Sequence, residues 1–204
     1  MKKVMRSSQL ELLSREEVKA SWLHGKTKVI LFSGKAGVGK TTSANILKRL
    51  IDDHFMLVDI DSFARGVKEA ATRAGWDGKK DVTGRKLLQD VGREGRERDP
   101  NTWVDQVVSR SVTPILKDAV IIDDWRYPNE LNRLRNNKMF DVISIRIHAP
   151  EKEMLNGTAE ASDSSETALP YENDADTYDF YVDNSGSLDD LESELIDIME
   201  TVLK

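Results

Sequence analysis

The chain has 204 residues, 39% hydrophobic and 32% charged, enough for one globular domain with a sizeable core. It has no cysteine, which excludes disulfides and thiolate metal sites and fits a reducing cytoplasm; its net charge of −6 argues against a general nucleic-acid binder. The charge is uneven: residues 1–149 carry +8 and residues 150–204 carry −14. A solvated acidic surface, a screen for a phosphate site and a steering patch are all compatible with that split. No apolar run approaches bilayer-spanning length, and "MKKVMRSSQL" lacks the apolar core of a signal peptide.

In chain order, Ser14 and Glu17 have capping-box spacing and predict a short helix in "SREEVKASWL". "KVILFSG" reads as a buried strand bounded by Gly34, and Ile46, Leu47, Leu50 and Ile51 recur at helical spacing after it. "FMLVDID" is a second strand, and "SFARGVKEAATRAG" is a helix with a Ser cap and a closing Gly75. "TGRKLLQDVGREG" and "NTWVDQVVSRSV" predict two more helices, and "AVIIDD" is a third strand ending in two acids. "YPNELNRLRNN" starts a helix with Pro128 in its first turn. "FDVISIRIHA" is a fourth strand, residues 150–178 are polar and acidic with little periodicity, and "YDFYVDN" is a short last strand. "SLDDLESELIDIMETVL" closes the chain as an amphipathic helix with Leu188, Leu191, Leu195, Ile198 and Val202 on one side.

Strands alternating with helices predict an α/β fold with a mainly parallel sheet and right-handed crossovers. In such folds ligands bind beyond the carboxyl ends of the strands. The candidate chemistry falls at three such ends: from Gly34, at Asp59 and Asp61, and from Asp123 to Arg126.

Gly34, Lys35, Ala36, Gly37, Val38, Gly39, Lys40 and Thr41 fit G-x-x-x-x-G-K-S/T in full, between a strand and a helix. The glycines let successive N–H groups turn inward onto phosphate oxygens, and the following helix adds its N-terminal dipole. Lys40 is expected on the β/γ-phosphates, Thr41 on Mg²⁺, with Thr42 completing the loop. Lys35 is either a phosphate contact or an exposed loop lysine. Asp123 and Asp124 match the acidic strand end that holds Mg²⁺, the other reading being helix caps. Arg126 suits a phosphoryl clamp, a salt bridge to Glu130, or both. Arg93, Arg96 and Arg98 lie in a helical insertion suited to an acceptor or lid, although charge runs are usually solvated faces. Asp59 and Asp61 are candidates for a sugar contact, a metal or a base, or a plain helix cap. His24, His54 and His148 show no metal spacing, and Trp103 and Trp125 are core residues by default, with the site within reach.

Several of these pieces together resemble the deoxynucleoside monophosphate kinases of phages and related bacterial proteins. They are the phosphate loop, "SFARGVKEAA", "GRKLLQDVGREGRERDPNTWV", "VIIDDWRYPNEL", "SSETAL" and "VDNSGSLDDLE", spanning about residues 28 to 200. The resemblance implies a three-layer P-loop NTPase fold with a five-stranded, mainly parallel sheet. Residues 26–204 would form a single kinase domain, behind a helical extension over 1–25. Acceptor-side helices would occupy about 62–116 and an acidic lid-like loop about 150–178. It implies Mg²⁺-dependent transfer of the γ-phosphoryl of ATP to a (deoxy)nucleoside monophosphate. A small nucleotide is then the expected partner, with no stable nucleic-acid or membrane binding and a homodimer left open.

Carried over by position, Lys40 and Thr41 serve the donor phosphates, and Asp124 and Arg126 the reaction centre. Arg98 would meet the acceptor phosphate, and Arg96, from the arginine cluster itself, is a further candidate phosphate contact. Phe63 and Lys68 belong to the acceptor-side helix, and Asn184 and Gly186 to a loop near the donor adenine; Asp61, Arg93 and Trp103, read from the residues themselves, are further candidate substrate contacts. Two departures stand out. The family often has G-K-D-T where this chain has Gly39-Lys40-Thr41-Thr42. Its lid also usually carries basic residues, whereas "HAPEKEMLNGTAEASDSSE" has one lysine and no arginine. A P-loop kinase for another phosphorylated metabolite and a nucleotide-dependent switch share the same phosphate-loop mechanics.

Overall fold

The computed structural model describes residues 26–53, 57–111, 118–152, 167–169 and 177–202. The expected N-terminal helix and most of the acidic 150–178 segment lie outside them. Five strands form one sheet: β1 (Thr27–Ser33), β2 (Val58–Asp61), β3 (Ala119–Ile122), β4 (Phe140–His148) and β5 (Phe180–Asp183). All neighbours are parallel, in the order β2-β3-β1-β4-β5. Among the described residues six α-helices accompany them: α1 (Lys40–Asp52), α2 (Phe63–Arg73), α3 (Val82–Arg98), α4 (Thr102–Ser111), α5 (Pro128–Arg135) and α6 (Leu188–Val202). No helix among the described residues is long and apolar enough to cross a membrane.

Side-chain alternation along the central strands divides the core into two layers. Ile30 and Phe32 of β1, Ile121 of β3 and Ile143, Ile145 and Ile147 of β4 face α1 and α6. There they meet Ile46, Leu47, Ile51, Leu191 and Leu195. The intervening Val29, Leu31, Val120 and Ile122 face the other way, onto Phe63, Val67, Trp103, Val107, Leu131 and Leu134 of α2, α4 and α5. Because both faces are covered, Val29–Phe32 of β1 and the whole of β3 read as unbroken apolar runs. α3 packs on α2 and α4 rather than on the sheet, and its buried residues are two glycines. Its Leu88, Gln89, Gly92, Arg93 and Arg96 share a cavity with residues that follow β3. The helix also runs three residues past Gly95, the end expected from sequence, and this changes the directions of its arginines.

Candidate active site

The loop from β1 to α1 is shaped by glycines that no other residue could replace without strain. Gly34 has φ +151°, and a Cβ there would lie 2.6 Å from Ile147 O and 2.7 Å from Val38 Cγ2. Gly39 has φ +101°, and its Cβ would overlap Asn184 Nδ2. Val38 between them is buried in the core, so its backbone alone faces the loop. The loop closes on its own lysine: Lys40 Nζ donates to Gly34 O and Lys35 O, both at 2.7 Å. Lys35 and Ala36 are half-buried, whereas Gly37, Thr41 and Thr42 are exposed. Asn184, from the β5–α6 connection, is buried and donates through Nδ2 to Val38 O at 2.9 Å, while its backbone N–H donates to His148 O at 2.8 Å. It thus braces the loop from the sheet side. Gly186, two residues on, is exposed and abuts Asp190.

The two acids after β3 have different partners. Asp123 Oδ2 accepts from Thr41 Oγ1 at 2.7 Å, which brings the loop hydroxyl and a strand-end carboxylate together. Asp124 Oδ1 and Oδ2 accept from Phe63 N and Ala64 N, each at 2.8 Å. Asp124 therefore caps α2, a helix remote in sequence, and not the α5 that follows it. Burial raises its pKa, against the pull of these two amides and of the Arg126 charge. Asp61 is buried and held: Arg110 Nε and Nη2 donate to its two oxygens at 2.8 and 3.1 Å, and Ser62 N donates to Oδ1 at 2.8 Å. Its carboxylate fixes the β2–α2 corner to α4.

Between α2, α3 and the β3–α5 connection lies a cavity of about 230 Å³. Phe63, Val67, Leu88 and Trp103 supply its apolar side; Lys68, Gln89, Arg93, Arg96, Asp124, Arg126 and Glu130 supply its polar side. Trp103 is fixed by donating Nε1 to Gly92 O at 2.9 Å. Arg96 lies over the Tyr127 ring, 4.3 Å from its centroid. Arg93 reaches the same wall but also donates to Asp90 Oδ1 at 2.6 Å. Arg98 is turned elsewhere: it is largely exposed, sits 3.5 Å from Glu94 and does not line the cavity. The cause is helical geometry, since residues three apart share a face and residues two apart are about 200° apart. Continuing α3 to Arg98 places Arg93 and Arg96 together and Arg98 opposite.

A salt bridge from the Arg126 side chain to Glu130 is one of the two readings that the sequence leaves open. Glu130 Oε2 instead accepts from the backbone N–H groups of Arg126 and Tyr127, both at 3.0 Å, capping α5. Burial, with the Asp124 charge nearby, pushes this carboxyl up to about 8, against the two amides and Arg96. Trp125 is core: its indole donates to Tyr127 O at 2.9 Å and its ring lies 5.4 Å from that of Tyr178. His148 is exposed, while His24 and His54 lie outside the described residues.

No family model and no curated protein matches the chain. Solved structures do match. APE1195 superposes at TM-score 0.51 and 17% identity, over 87% of this chain and 96% of that one. Shikimate kinase from Acinetobacter baumannii, in complex with shikimate, gives TM-score 0.50 and 12% identity over 91% and 97%. APS kinase CysC from Mycobacterium tuberculosis, in complex with AMPPNP and APS, gives 0.49 and 14% over 86% and 98%. The fold is that of the P-loop NTPases. At these identities the likeness speaks for the fold alone.

Against that P-loop framework, three residues escaped the sequence reading. Gln89 precedes Arg93 by four and Arg96 by seven, so the helical repeat through the two arginines was the signal for it. Tyr127, the platform under Arg96, carried no signal. Arg146 is buried on β4, where Nη1 donates to Ser33 Oγ at 2.9 Å just before the P-loop. A lone arginine inside an apolar strand gives no hint of such a place.

Proposed function

We propose that this chain transfers the γ-phosphoryl of ATP to a (deoxy)nucleoside 5′-monophosphate, yielding the diphosphate. One observation carries the reading. The P-loop edge, with Thr41 against Asp123, and a separate cavity with an apolar floor and a cationic rim meet at the end of β3. A switch has no need of a second cavity; a two-substrate enzyme does.

The donor-side residues fit a Mg²⁺-nucleotide. The loop glycines leave no room for a Cβ, Lys40 already lies across the loop, and Thr41 and Asp123 supply hard oxygens side by side. The loop amides and Lys40 would hold the phosphates, and Thr41 and Asp123 the metal. When bound, the ion neutralises charge on the β- and γ-oxygens. On the acceptor side, Phe63 and Trp103 suit the flat face of a base, and Arg96 and Arg126 suit a phosphate. A monophosphate oxygen is already ionised near neutral pH, so the acceptor needs no general base. What remains for the protein is alignment and charge neutralisation. A cytoplasmic setting, rich in ATP and Mg²⁺, belongs to this reading.

The cavity's size favours a second reading. Its volume of about 230 Å³ falls below the roughly 300–1,000 Å³ of common ligand pockets. That suits a smaller phosphorylated metabolite. Label transfer from γ-labelled ATP to a panel of nucleoside monophosphates and of smaller phosphorylated metabolites separates the two by the product formed. Lys40→Ala and Arg126→Ala are expected to lower transfer at least about a hundredfold while melting as the wild type does. A folded Arg126→Ala protein with near-wild-type turnover removes Arg126 from the mechanism.

A further inference from the structure

A second depression lies beside the acceptor cavity: an open cleft of about 770 Å³ at the carboxyl end of β2. One wall is a complete face of α2, Arg65, Lys68, Glu69, Thr72 and Arg73, and the cleft reaches Asp123. Among the described residues Lys68 is the one side chain that lines both this cleft and the acceptor cavity. The cleft holds the acid that touches Thr41; the cavity holds Arg96 and Arg126. Lys68 therefore stands on the ridge between the donor edge and the acceptor space.

Its position is fixed from below. Asp124 caps the first turn of α2 through Phe63 N and Ala64 N, and the Asp61–Arg110 pair anchors the corner before it. The charge is also available. Neighbouring acids are engaged elsewhere, Asp61 by Arg110 and Glu69 by Arg65 at 3.1 Å. Among the described residues the Lys68 ammonium makes no hydrogen bond or ion pair. A half-buried lysine that pairs with no acid among the described residues, at the junction of the cleft that holds Asp123 and the cavity that holds Arg96 and Arg126, is placed to meet an anion in transit.

We propose that Lys68 is a catalytic residue of this site, its ammonium pairing with oxygens of the phosphoryl group as it passes from donor to acceptor. The inference rests on the phosphotransfer reading above and gives α2 the role expected of a basic lid. In the transfer, an acceptor phosphate oxygen forms a new bond to the γ-phosphorus. The bond from that phosphorus to the β–γ bridging oxygen breaks, and its electron pair leaves on the nucleoside diphosphate. No proton moves, and Lys68 keeps its own throughout.

The test reads binding and so needs no turnover. Calorimetry is run on the full chain with ADP as the donor-only probe. Diadenosine and adenosine–thymidine pentaphosphates are the probes that span both halves. Lys68→Met is expected to weaken the tighter pentaphosphate at least about tenfold and to leave ADP within twofold. Lys68→Arg should keep most of the affinity. Arg73→Met, which removes an exposed cation of the same face that lines only the cleft, should change neither. Thermal melting verifies that each variant is folded. Pentaphosphate affinity within twofold of wild type in Lys68→Met, or an equal loss in Arg73→Met, overturns the inference and leaves the kinase reading standing. A wild type that binds ADP and binds both pentaphosphates no more tightly overturns the two-substrate reading, and this inference with it.

Discussion

At the scale of single residues, the adjacent acids Asp123 and Asp124 divide two jobs. Successive residues leaving a strand point in opposite directions, so one meets Thr41 and the other the α2 amides. Asp124→Ala is expected to cost about 1–2 kcal/mol, the usual worth of a helix cap, and to lower the melting temperature by several degrees. Asp123→Asn should melt like the wild type and yet need more Mg²⁺ for half-maximal activity. Melting curves and a Mg²⁺ titration of the two variants decide this.

Glu130 gives a pH prediction with a definite sign. Its folded pKa, about 8, lies above the ordinary 4.5, so between those values the folded chain binds the extra proton. Stability from this group is fully present below about pH 4.5 and declines as pH rises toward 8. The melting temperature should fall across that interval, and Glu130→Gln should flatten the fall; an unchanged slope in that variant contradicts the assignment. "VIIDD" made the acids visible in the sequence, but which acid meets which partner depends on a helix sixty residues away. The arginines teach the same lesson, since Arg96 and Arg98 separate only once α3 is known to continue through both.

At the scale of elements, the phosphate loop was legible because its constraints are local: glycine conformations, one lysine, one hydroxyl and a strand-to-helix context. Its support was less so. Asn184 is 146 residues from Val38, whose carbonyl it satisfies inside the core. Asn184→Ala leaves that carbonyl without its partner and should cost about 1–3 kcal/mol. It should also raise KM for ATP several-fold by loosening the loop, with a smaller change in kcat. A loss confined to acceptor binding would instead separate Asn184 from the loop. The cavity proposed for the acceptor was the least legible element, because α2, α3 and the β3–α5 connection each contribute only part of its wall.

At the scale of the molecule, alternating strands and helices announced a parallel α/β sheet, and the carboxyl-end rule pointed to the edge where the candidate site lies. The order β2-β3-β1-β4-β5 was not written in any one segment. In it β1 and β3 bury both faces, between α1 and α6 on one side and α2, α4 and α5 on the other. That order sets the P-loop beside Asp123 and leaves α2 and α3 to roof the second cavity. The central claim is that the two halves act on two substrates together. A coupled assay of ATP consumption, with and without each nucleoside monophosphate, tests it most directly. Rapid consumption only when an accepted monophosphate is present, with the matching diphosphate formed, is the predicted result; equal consumption with and without every acceptor would contradict it.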